Sequence, residues 1–310
     1  MPVYNRPNAL REALRSLMAQ TCNKFFVVVV DDNSNEPIKE VVDEFENFLH
    51  IKYIKKSANE GPGKARQEGL QWCYDNNIEF VMFMDSDDAL FPNAVQRLVH
   101  EIKINSCDMV SSEIRVEDKD GTIHDISSDN KTWLHGKIFR VSFLQKHNLM
   151  FGETKTNEDL SFLLRFHSLS PKFGRLEEEY YLFRNNAESL TRNKKADDYF
   201  MVRSTDYIEA IYETVIFISE RKLPFAQNIL NNIFVCYNYY QKALILNTPK
   251  LEKIKSLLQY LYSIPEITDM LSSDISLNGV STNLKQGEAI GTKFYWFKQT
   301  FEQFLEELAQ

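Results

Sequence analysis

Three acidic side chains that follow an apolar run are the residues of this chain best suited to bind a metal ion. Residues 80–84 form an apolar run of five, and Asp85, Asp87 and Asp88 come soon after it. Such a run predicts a strand buried on both faces. Ligands bind at the carboxyl ends of strands in an open α/β sheet, and carboxylates gathered there without basic partners favour a cation. Oxygen ligands predict Mg²⁺ or Mn²⁺ rather than zinc, and a polar turn or helix cap is the structural alternative.

Two further pairs of acids occur at the ends of predicted elements. Residues 25–30, FFVVVV, predict a second buried strand that ends in Asp31 and Asp32. Farther along the chain, Glu158 and Asp159 open a predicted helix. Acids in the first turn of a helix are stabilised by its dipole, which is the structural explanation for the latter pair.

The elements that must position these acids alternate along the first part of the chain. Helical periodicity covers residues 8–20 and 37–48, a short strand covers 51–54, and another helix follows the segment NEGPG. This alternation predicts right-handed crossovers and a mostly parallel, doubly wound sheet flanked by helices. After Pro92 the pattern becomes mixed α+β, and beyond about residue 196 only helices are predicted. The predicted fold class is therefore α/β with a helical C-terminal region.

Composition limits the class of partner. The chain has 310 residues, enough for roughly two domains, with a formal net charge of −8 and a pI of about 5.4. This balance argues against nucleic-acid binding by bulk electrostatics. The four cysteines form no Cys-x-x-Cys motif, and no apolar run approaches the ~20 residues of a membrane span. We expect a cytoplasmic protein with reduced thiols. The opening MPVYN is typical of a strand end, so we expect that strand to begin before this numbering.

Four motifs occur together in one order. They are MPVYNR at 1–6, VVDDNSNE at 29–36, MDSDD at 84–88 and NED at 157–159, with NEGPGKARQEG at 59–69. Together they resemble the family 2 glycosyltransferases, whose nucleotide-sugar-binding domain has the Rossmann-like GT-A fold. The resemblance covers about residues 1–192. It implies a nucleotide-sugar-binding and catalytic domain at 1–196, followed by a helical C-terminal region at 197–310.

The resemblance implies a set of donor-binding residues. Pro2, Tyr4 and Asn5 would hold the nucleotide at the end of the first strand. Asp32 would accept the N3 proton of uracil, which predicts a UDP-sugar and penalises cytosine, whose N3 is an acceptor. Arg66 would contact the base or the diphosphate, and a solvent-exposed helical charge is its structural alternative.

The same resemblance implies residues for the metal and the diphosphate. Asp85 and Asp87 would form the Asp-x-Asp motif. Asp87 would ligate Mn²⁺ or Mg²⁺, while Asp85, the second metal residue of the motif, would bind the ribose or reach the metal through water. Asp88 is the alternative ligand, or caps the following helix. Arg192 would bind the diphosphate, replacing or supplementing the metal.

The acceptor side follows from the Glu-Asp motif of the family. In an inverting transfer the acceptor hydroxyl attacks the anomeric carbon from the face opposite the diphosphate, so a carboxylate must take its proton there. Asp159 would be this general base, with Glu158 as the alternative. His135 and Lys137 fall in a region that lines the acceptor side in the family, and a purely structural role is the alternative for both.

The resemblance therefore predicts an inverting, metal-dependent glycosyltransferase that moves a sugar from a UDP-sugar to an acceptor hydroxyl. The acceptor class it favours is a glycan or lipid-linked glycan in surface-glycan assembly. A nucleotidyltransferase is one alternative, although the sequence after the first strand supplies Arg6 and no glycine for a phosphate loop. A non-catalytic nucleotide-sugar-binding protein is the other.

Large apolar residues recur at helical spacing in the last segment, 292–308. Such a face must be buried. Packing on its own domain, self-association into a homo-oligomer and peripheral contact with the inner face of a membrane are the three alternatives.

Overall fold

The computed structural model describes residues 1–118, 120–184, 196–246 and 250–267. The chain divides into two compact units, the first spanning Met1–Asn193 and the second beginning at Lys194. The expected boundary lay at residue 196. The segment 292–308 lies outside the described residues.

The first unit begins with a three-stranded parallel sheet. Its strands, in spatial order, are β1 (Pro2–Val3), β2 (Phe26–Asp31) and β3 (His50–Lys55). The connecting helices are α1 (Pro7–Met18) and α2 (Ile38–Asp43). The valine run of β2 forms a strand because β-branched side chains pack well on a pleated surface. Leu10 and Leu14 of α1 are fully buried in the core of this unit. All three strands run in the same direction, so their carboxyl ends share one edge.

A second, mixed sheet completes the first unit. Its strands are β4 (Phe80–Met82), β5 (Ala89–Leu90), β6 (Met109–Glu117), β7 (Ile123–Ile126), β8 (Lys137–Arg140) and β9 (Phe173–Phe183). Their order is β4-β8-β6-β9-β5, with β7 paired to β6. The predicted α/β class is confirmed, but β4 pairs antiparallel with β8, and the expected five-residue parallel strand is only three residues long. An apolar run predicts burial and does not determine the direction of the partner strand.

Four more helices lie in the first unit. They are α3 (Pro62–Asp75), α4 (Ala94–Ile104), α5 (Val141–Lys146) and α6 (Glu158–Ser168). The first turns of α3 and α6 are in close contact: a Cβ added to Gly63 would lie 2.7 Å from Cγ of Glu158. Only a residue without a side chain fits at this approach. The left-handed backbone of Asn157, with a φ of 62°, precedes α6.

The described part of the second unit consists of helices. They are α7 (Ala196–Glu220), α8 (Gln227–Leu246) and α9 (Leu251–Tyr262). All three were predicted, and α9 has the predicted bounds. Ile211, Ile233 and Leu258 are fully buried in this unit. Within the described ranges, none of the helices has the length and apolar character needed to cross a membrane.

Candidate active site

The carboxyl ends of the three parallel strands place Tyr4, Asp32 and Lys56 side by side. The backbone N–H of Asp32 donates to the carbonyl of Val3 at 2.9 Å, and that of Lys56 donates to the carbonyl of Asp31 at 2.9 Å. Tyr4 is 41% exposed, whereas Asp32 is buried. The row therefore brings an exposed tyrosine and a buried acid to the edge where an α/β sheet binds ligands.

The two acids after β2 have different environments. Asp31 is buried and accepts hydrogen bonds from the backbone N–H of Ser34 at 2.8 Å and the hydroxyl of Tyr53 at 2.7 Å. Both bonds stay within the protein, so Asp31 is a structural residue that shapes the strand end. Asp32 instead contacts Lys56 and the loop before the third helix.

Asp32 orders the loop before α3. Its Oδ1 accepts from Nζ of Lys56 at 2.8 Å and from the backbone N–H of Glu60 at 3.1 Å. Its Oδ2 accepts from the backbone N–H of Gly61 at 2.7 Å. The sequence motifs identified Asp32 but not Lys56, whose position directly after β3 was the available signal.

Asn5 has a structural role in the loop after β1. Its left-handed backbone has a φ of 51°, its N–H donates to Oγ of Ser34 at 2.9 Å, and its Oδ1 accepts from the backbone N–H of Asn35 at 2.8 Å. These bonds join the loops after β1 and β2. The neighbouring Pro2 is buried. Nucleotide contacts by Pro2, Tyr4 and Asn5 remain predictions.

Arg66 connects two parts of the site. Its guanidinium is buried, with Nη2 2.6 Å from Oδ1 of Asp85 and Nη1 2.5 Å from Oε1 of Glu158. The structural alternative of an exposed helical charge is therefore wrong, because α3 directs this side chain inward. A buried guanidinium between two carboxylates fixes their positions through charge-assisted hydrogen bonds.

Asp85 also contacts His135, whose Nε2 lies 3.2 Å from Oδ2 of Asp85 and 3.9 Å from Oδ2 of Asp88. Burial alone would raise the pKa of Asp85, but Arg66 and His135 hold it well below its usual range. Burial alone would likewise lower the pKa of His135, and Asp85 raises it. This cluster places His135 against the acids that follow β4.

Asp88 is held from the opposite side by β9. Its Oδ2 accepts from the hydroxyl of Tyr181 at 2.5 Å and its Oδ1 accepts from the backbone N–H of Arg184 at 3.1 Å. Burial, followed by the nearby charges of Asp85 and Asp87, raises the pKa of Asp88 to about 7. Tyr181 was not identified from the sequence, because nothing in the pattern of β9 marks one of its tyrosines.

Asp87, the expected metal ligand, forms an ion pair with Arg6. Oδ2 of Asp87 lies 2.7 Å from Nη1 of Arg6, and both side chains keep a small exposed fraction. Arg6 follows β1, so it meets Asp87 across the strand ends. Its position after the first strand was the signal that could have marked it.

The acids after β4 fit a divalent cation by their donor chemistry. Ligand atoms of Asp85, Asp88 and His135 lie within 4.8 Å of one another. In the described part of the chain, Nδ1 of His135 is buried and has no hydrogen-bond partner. Carboxylates with one imidazole suit Mn²⁺, and carboxylates alone suit Mg²⁺ or Mn²⁺. Each oxygen of Asp88 already accepts one hydrogen bond, from Tyr181 or from Arg184, and the residue is buried. Asp85 and Asp87 keep some exposure, so the donor set fits a metal at the outer edge of the cluster.

The first turn of α6 holds two acids with different access to solvent. Glu158 is buried against Arg66, while Asp159 is partly exposed and its Oδ1 accepts from the backbone N–H of Leu160 at 2.8 Å. Burial, with the charge of Asp159, raises the pKa of Glu158 to about 7 against the opposing effect of Arg66. Asp159 is therefore the acid of this pair that a ligand from solvent can reach.

Lys137 is fully buried, and its Nζ donates to the carbonyl of Trp133 at 2.6 Å. Burial lowers its pKa to about 8, against the opposing charge of Asp159. This position fits the structural alternative for Lys137 better than contact with an acceptor. Arg192 lies outside the described residues.

The sequence model described as glycosyl transferase family 2 matches residues 1–164, more than half of the chain. The chain therefore belongs to glycosyl transferase family 2, and it is a glycosyltransferase by class.

Relatives in this family include the poly(ribitol-phosphate) β-N-acetylglucosaminyltransferase TarP of Staphylococcus aureus. It is 25% identical over 245 residues, which cover 72% of this chain and 74% of TarP. A poly(ribitol-phosphate) β-glucosyltransferase of Bacillus spizizenii is 23% identical over 87% of this chain, a region that spans 45% of that protein.

Solved structures show the same fold. The crystal structure of residues 1–349 of TarS from S. aureus, in complex with UDP, has a TM-score of 0.61 at 19% identity, covering 97% of this chain and 93% of that one. A mannosyltransferase of Pyrobaculum calidifontis, in complex with GDP-Man and Mn²⁺, has a TM-score of 0.51 at 13% identity and covers 91% of this chain and 84% of that one. The predicted GT-A type of fold is confirmed.

Proposed function

We propose that the protein transfers a sugar from a UDP-sugar to a hydroxyl of a surface glycan, with inversion at the anomeric carbon and with help from a divalent metal. The observation that supports this most is the ion triad of Asp85, Arg66 and Glu158. It joins the acids after β4 to the first turn of α6, so that the donor side and the base side form one rigid unit. An enzyme that transfers a group between two bound substrates must hold them in a fixed position relative to each other.

Asp87 and Asp85 would hold the metal. When bound, it would stabilise the negative charge that develops on the departing diphosphate, a Lewis-acid role. Arg6, now paired with Asp87, supplies a second positive charge beside the same position. Asp88 and His135 lie behind these acids and support Asp85 from the protein interior.

Asp159 would act as the general base and Glu158 as its positioning residue. Asp159 is accessible, whereas the Glu158 carboxylate is buried and bound to the Arg66 guanidinium. A base must come within hydrogen-bond reach of the proton that it removes. The Glu158 carboxylate is buried and its Oε1 is held by Arg66, whereas Asp159 is partly exposed, so the geometry favours Asp159 of the two candidates.

The names of the relatives support the substrate class. The TarP and Bacillus proteins are described as poly(ribitol-phosphate) glycosyltransferases, and TarS structures are described with UDP and with UDP-GlcNAc. By analogy, a UDP-sugar donor and a hydroxyl on a cell-surface polymer are the substrates that we propose here. The reaction breaks the bond between the anomeric carbon and the diphosphate, forms a new glycosidic bond and passes the hydroxyl proton to Asp159.

The test is UDP release from a panel of UDP-sugars with ribitol-phosphate and polysaccharide acceptors, in Mn²⁺ or in EDTA. Asp159→Asn should lower turnover by about 10²- to 10⁴-fold with donor affinity nearly unchanged. Asp43→Asn, a change of the same kind at an exposed position of α2, is the matched control. Near-normal turnover of Asp159→Asn would remove Asp159 from the mechanism. UDP binding without any turnover would favour a non-catalytic binder, and pyrophosphate release from UTP and a sugar phosphate would favour a nucleotidyltransferase.

A further inference from the structure

We propose that Lys56 determines the preference for uracil together with Asp32, by donating a hydrogen bond to O4 of the base while Asp32 accepts the N3 proton. The inference rests on the proposed UDP-sugar donor and adds a specificity-determining residue to it. Lys56 follows the third parallel strand, at the same sheet edge as Asp32 and Tyr4. Neither the motif nor the general role of Asp32 requires a cation at this position.

The hydrogen-bond capacity of Asp32 leaves one free acceptor position. A carboxylate has about four lone-pair sites, two on each oxygen. Within the described residues, Lys56 and Glu60 donate to Oδ1, and Gly61 donates to Oδ2. Oδ1 is therefore filled, and Oδ2 keeps one site for a donor from a ligand.

The ammonium of Lys56 leaves one free donor in the same way. It has three N–H groups. One is directed to Oδ1 of Asp32 at 2.8 Å and one to Oε2 of Glu60 at 3.0 Å. The third N–H has no partner in the part of the chain that the structure describes. A single donor thus stands beside a single acceptor at the edge of the site.

This pair matches uracil and does not match cytosine in the same position. Uracil presents an N3–H donor beside the O4 acceptor, whereas cytosine presents an N3 acceptor beside the N4 amino donor. Cytosine carries its donor and acceptor in the opposite order along this edge, so it could satisfy Asp32 and Lys56 together only if the base were turned over. Attachment to the ribose and diphosphate would oppose this reversal. The mismatch would leave buried polar groups unpaired, which is how such sites discriminate strongly.

Arg66 was expected to contact the base or the diphosphate, and its ion pairs make contact with the base less favourable. Both terminal nitrogens of its guanidinium are bound to Asp85 and Glu158. Contact with the base would draw the guanidinium away from these two carboxylates. Lys56 already donates to the carboxylate that would recognise N3, at 2.8 Å.

The experiment compares binding of UDP and CDP to the full chain in Mn²⁺ by isothermal titration calorimetry. Lys56→Met should weaken the binding of UDP by roughly tenfold or more, which is the effect of losing a hydrogen bond to a charged group. It should weaken the binding of CDP less, so that the ratio of the UDP affinity to the CDP affinity falls. Lys55→Met is the matched control, because Lys55 is the adjacent lysine and its Nζ donates to the carbonyl of Ser34 instead. This control should keep the parent ratio.

A second measurement compares two ligands, and its comparison on the unmodified protein does not depend on the folding of a variant. 4-Thio-UDP, whose sulfur is a weaker acceptor than O4, should bind less tightly than UDP to the unmodified protein and about equally to Lys56→Met. An unchanged UDP to CDP ratio in Lys56→Met, or equal affinity of the unmodified protein for UDP and 4-thio-UDP, would overturn the role of Lys56 alone. Absence of UDP binding by the unmodified protein would overturn the proposed donor and this inference with it.

Discussion

Replacing Arg66 with methionine tests the ion triad that joins the two sides of the site. Methionine keeps much of the volume of the side chain but removes both hydrogen bonds, to Asp85 and to Glu158. The buried carboxylate of Glu158 and the partly exposed carboxylate of Asp85 then lose this counter-charge, and Asp85 keeps its contact with His135. Breaking a buried ion pair from one side costs about 3–5 kcal/mol because the other charge is left buried and unpaired. We therefore expect the free energy of unfolding of the first unit to fall by about this amount.

Part of the lost free energy of unfolding should return when the charge of Glu158 is removed as well. Glutamine at position 158 is neutral and of the same shape, so the double variant Arg66→Met/Glu158→Gln no longer leaves a buried charge there, while Asp85 keeps its contact with His135. Directly coupled residues commonly show interaction energies of about 0.5–3 kcal/mol. The double variant should therefore be more stable than the sum of the two single changes predicts, by an amount in this range.

The assay is urea unfolding followed by tryptophan fluorescence, since Trp72 and Trp133 lie in the first unit. Arg11→Met removes an exposed pair with Glu44 and should leave stability close to that of the parent. Strictly additive effects of Arg66→Met and Glu158→Gln, or an Arg66→Met protein as stable as the Arg11→Met control, would refute the buried triad.

Three further predictions concern the metal and acid stability. Asp87→Ala should abolish Mn²⁺-dependent thermal protection by UDP, and full protection would show that Asp87 is not a ligand. Arg6→Gln should tighten Mn²⁺ binding without nucleotide by about fivefold, measured by electron paramagnetic resonance, because the positive charge of Arg6 no longer competes with the metal for Asp87; weaker binding would contradict this. Burial and Lys131 lower the pKa of His167 to about 4. The folded protein then binds fewer protons than the unfolded chain between about pH 4 and 6.5, so stability falls as the pH drops through this window. In urea titrations, His167→Gln should remove up to about 3 kcal/mol of this pH-dependent change in the free energy of unfolding. An unchanged pH profile would show that His167 is not its cause.

The acids of the site could be predicted from the sequence because each follows an apolar run or opens a helix. Asp32, Asp85 and Asp159 stand where strand ends and a helix start were predicted. Pairing direction was not available from the same pattern, and β4 therefore joins β8 antiparallel instead of the expected parallel neighbour. An apolar run defines the burial of a strand, whereas its partner depends on contacts far along the chain.

The partners of these acids could not be predicted, since they come from distant segments. Arg6 and Asp87 are 81 positions apart, and Arg66 and Glu158 are 92 apart. A charge in a motif gives no sign of whether its side chain is buried in an ion pair or faces a ligand. For the same reason Lys137 could be expected on the acceptor side although it is fully buried.

The most direct test of the proposed inverting transfer is the anomeric form of the sugar that the protein first releases from its donor. UDP-GlcNAc, UDP-glucose, UDP-GalNAc and UDP-galactose are all α-linked, and slow hydrolysis without an acceptor can be followed by time-resolved proton NMR. We predict equal amounts of UDP and free sugar from at least one of these donors in Mn²⁺, with the β-anomer appearing before mutarotation, and loss of both signals in Asp159→Asn. Initial release of the α-anomer, or no hydrolysis of any of the four donors, would contradict the proposed mechanism.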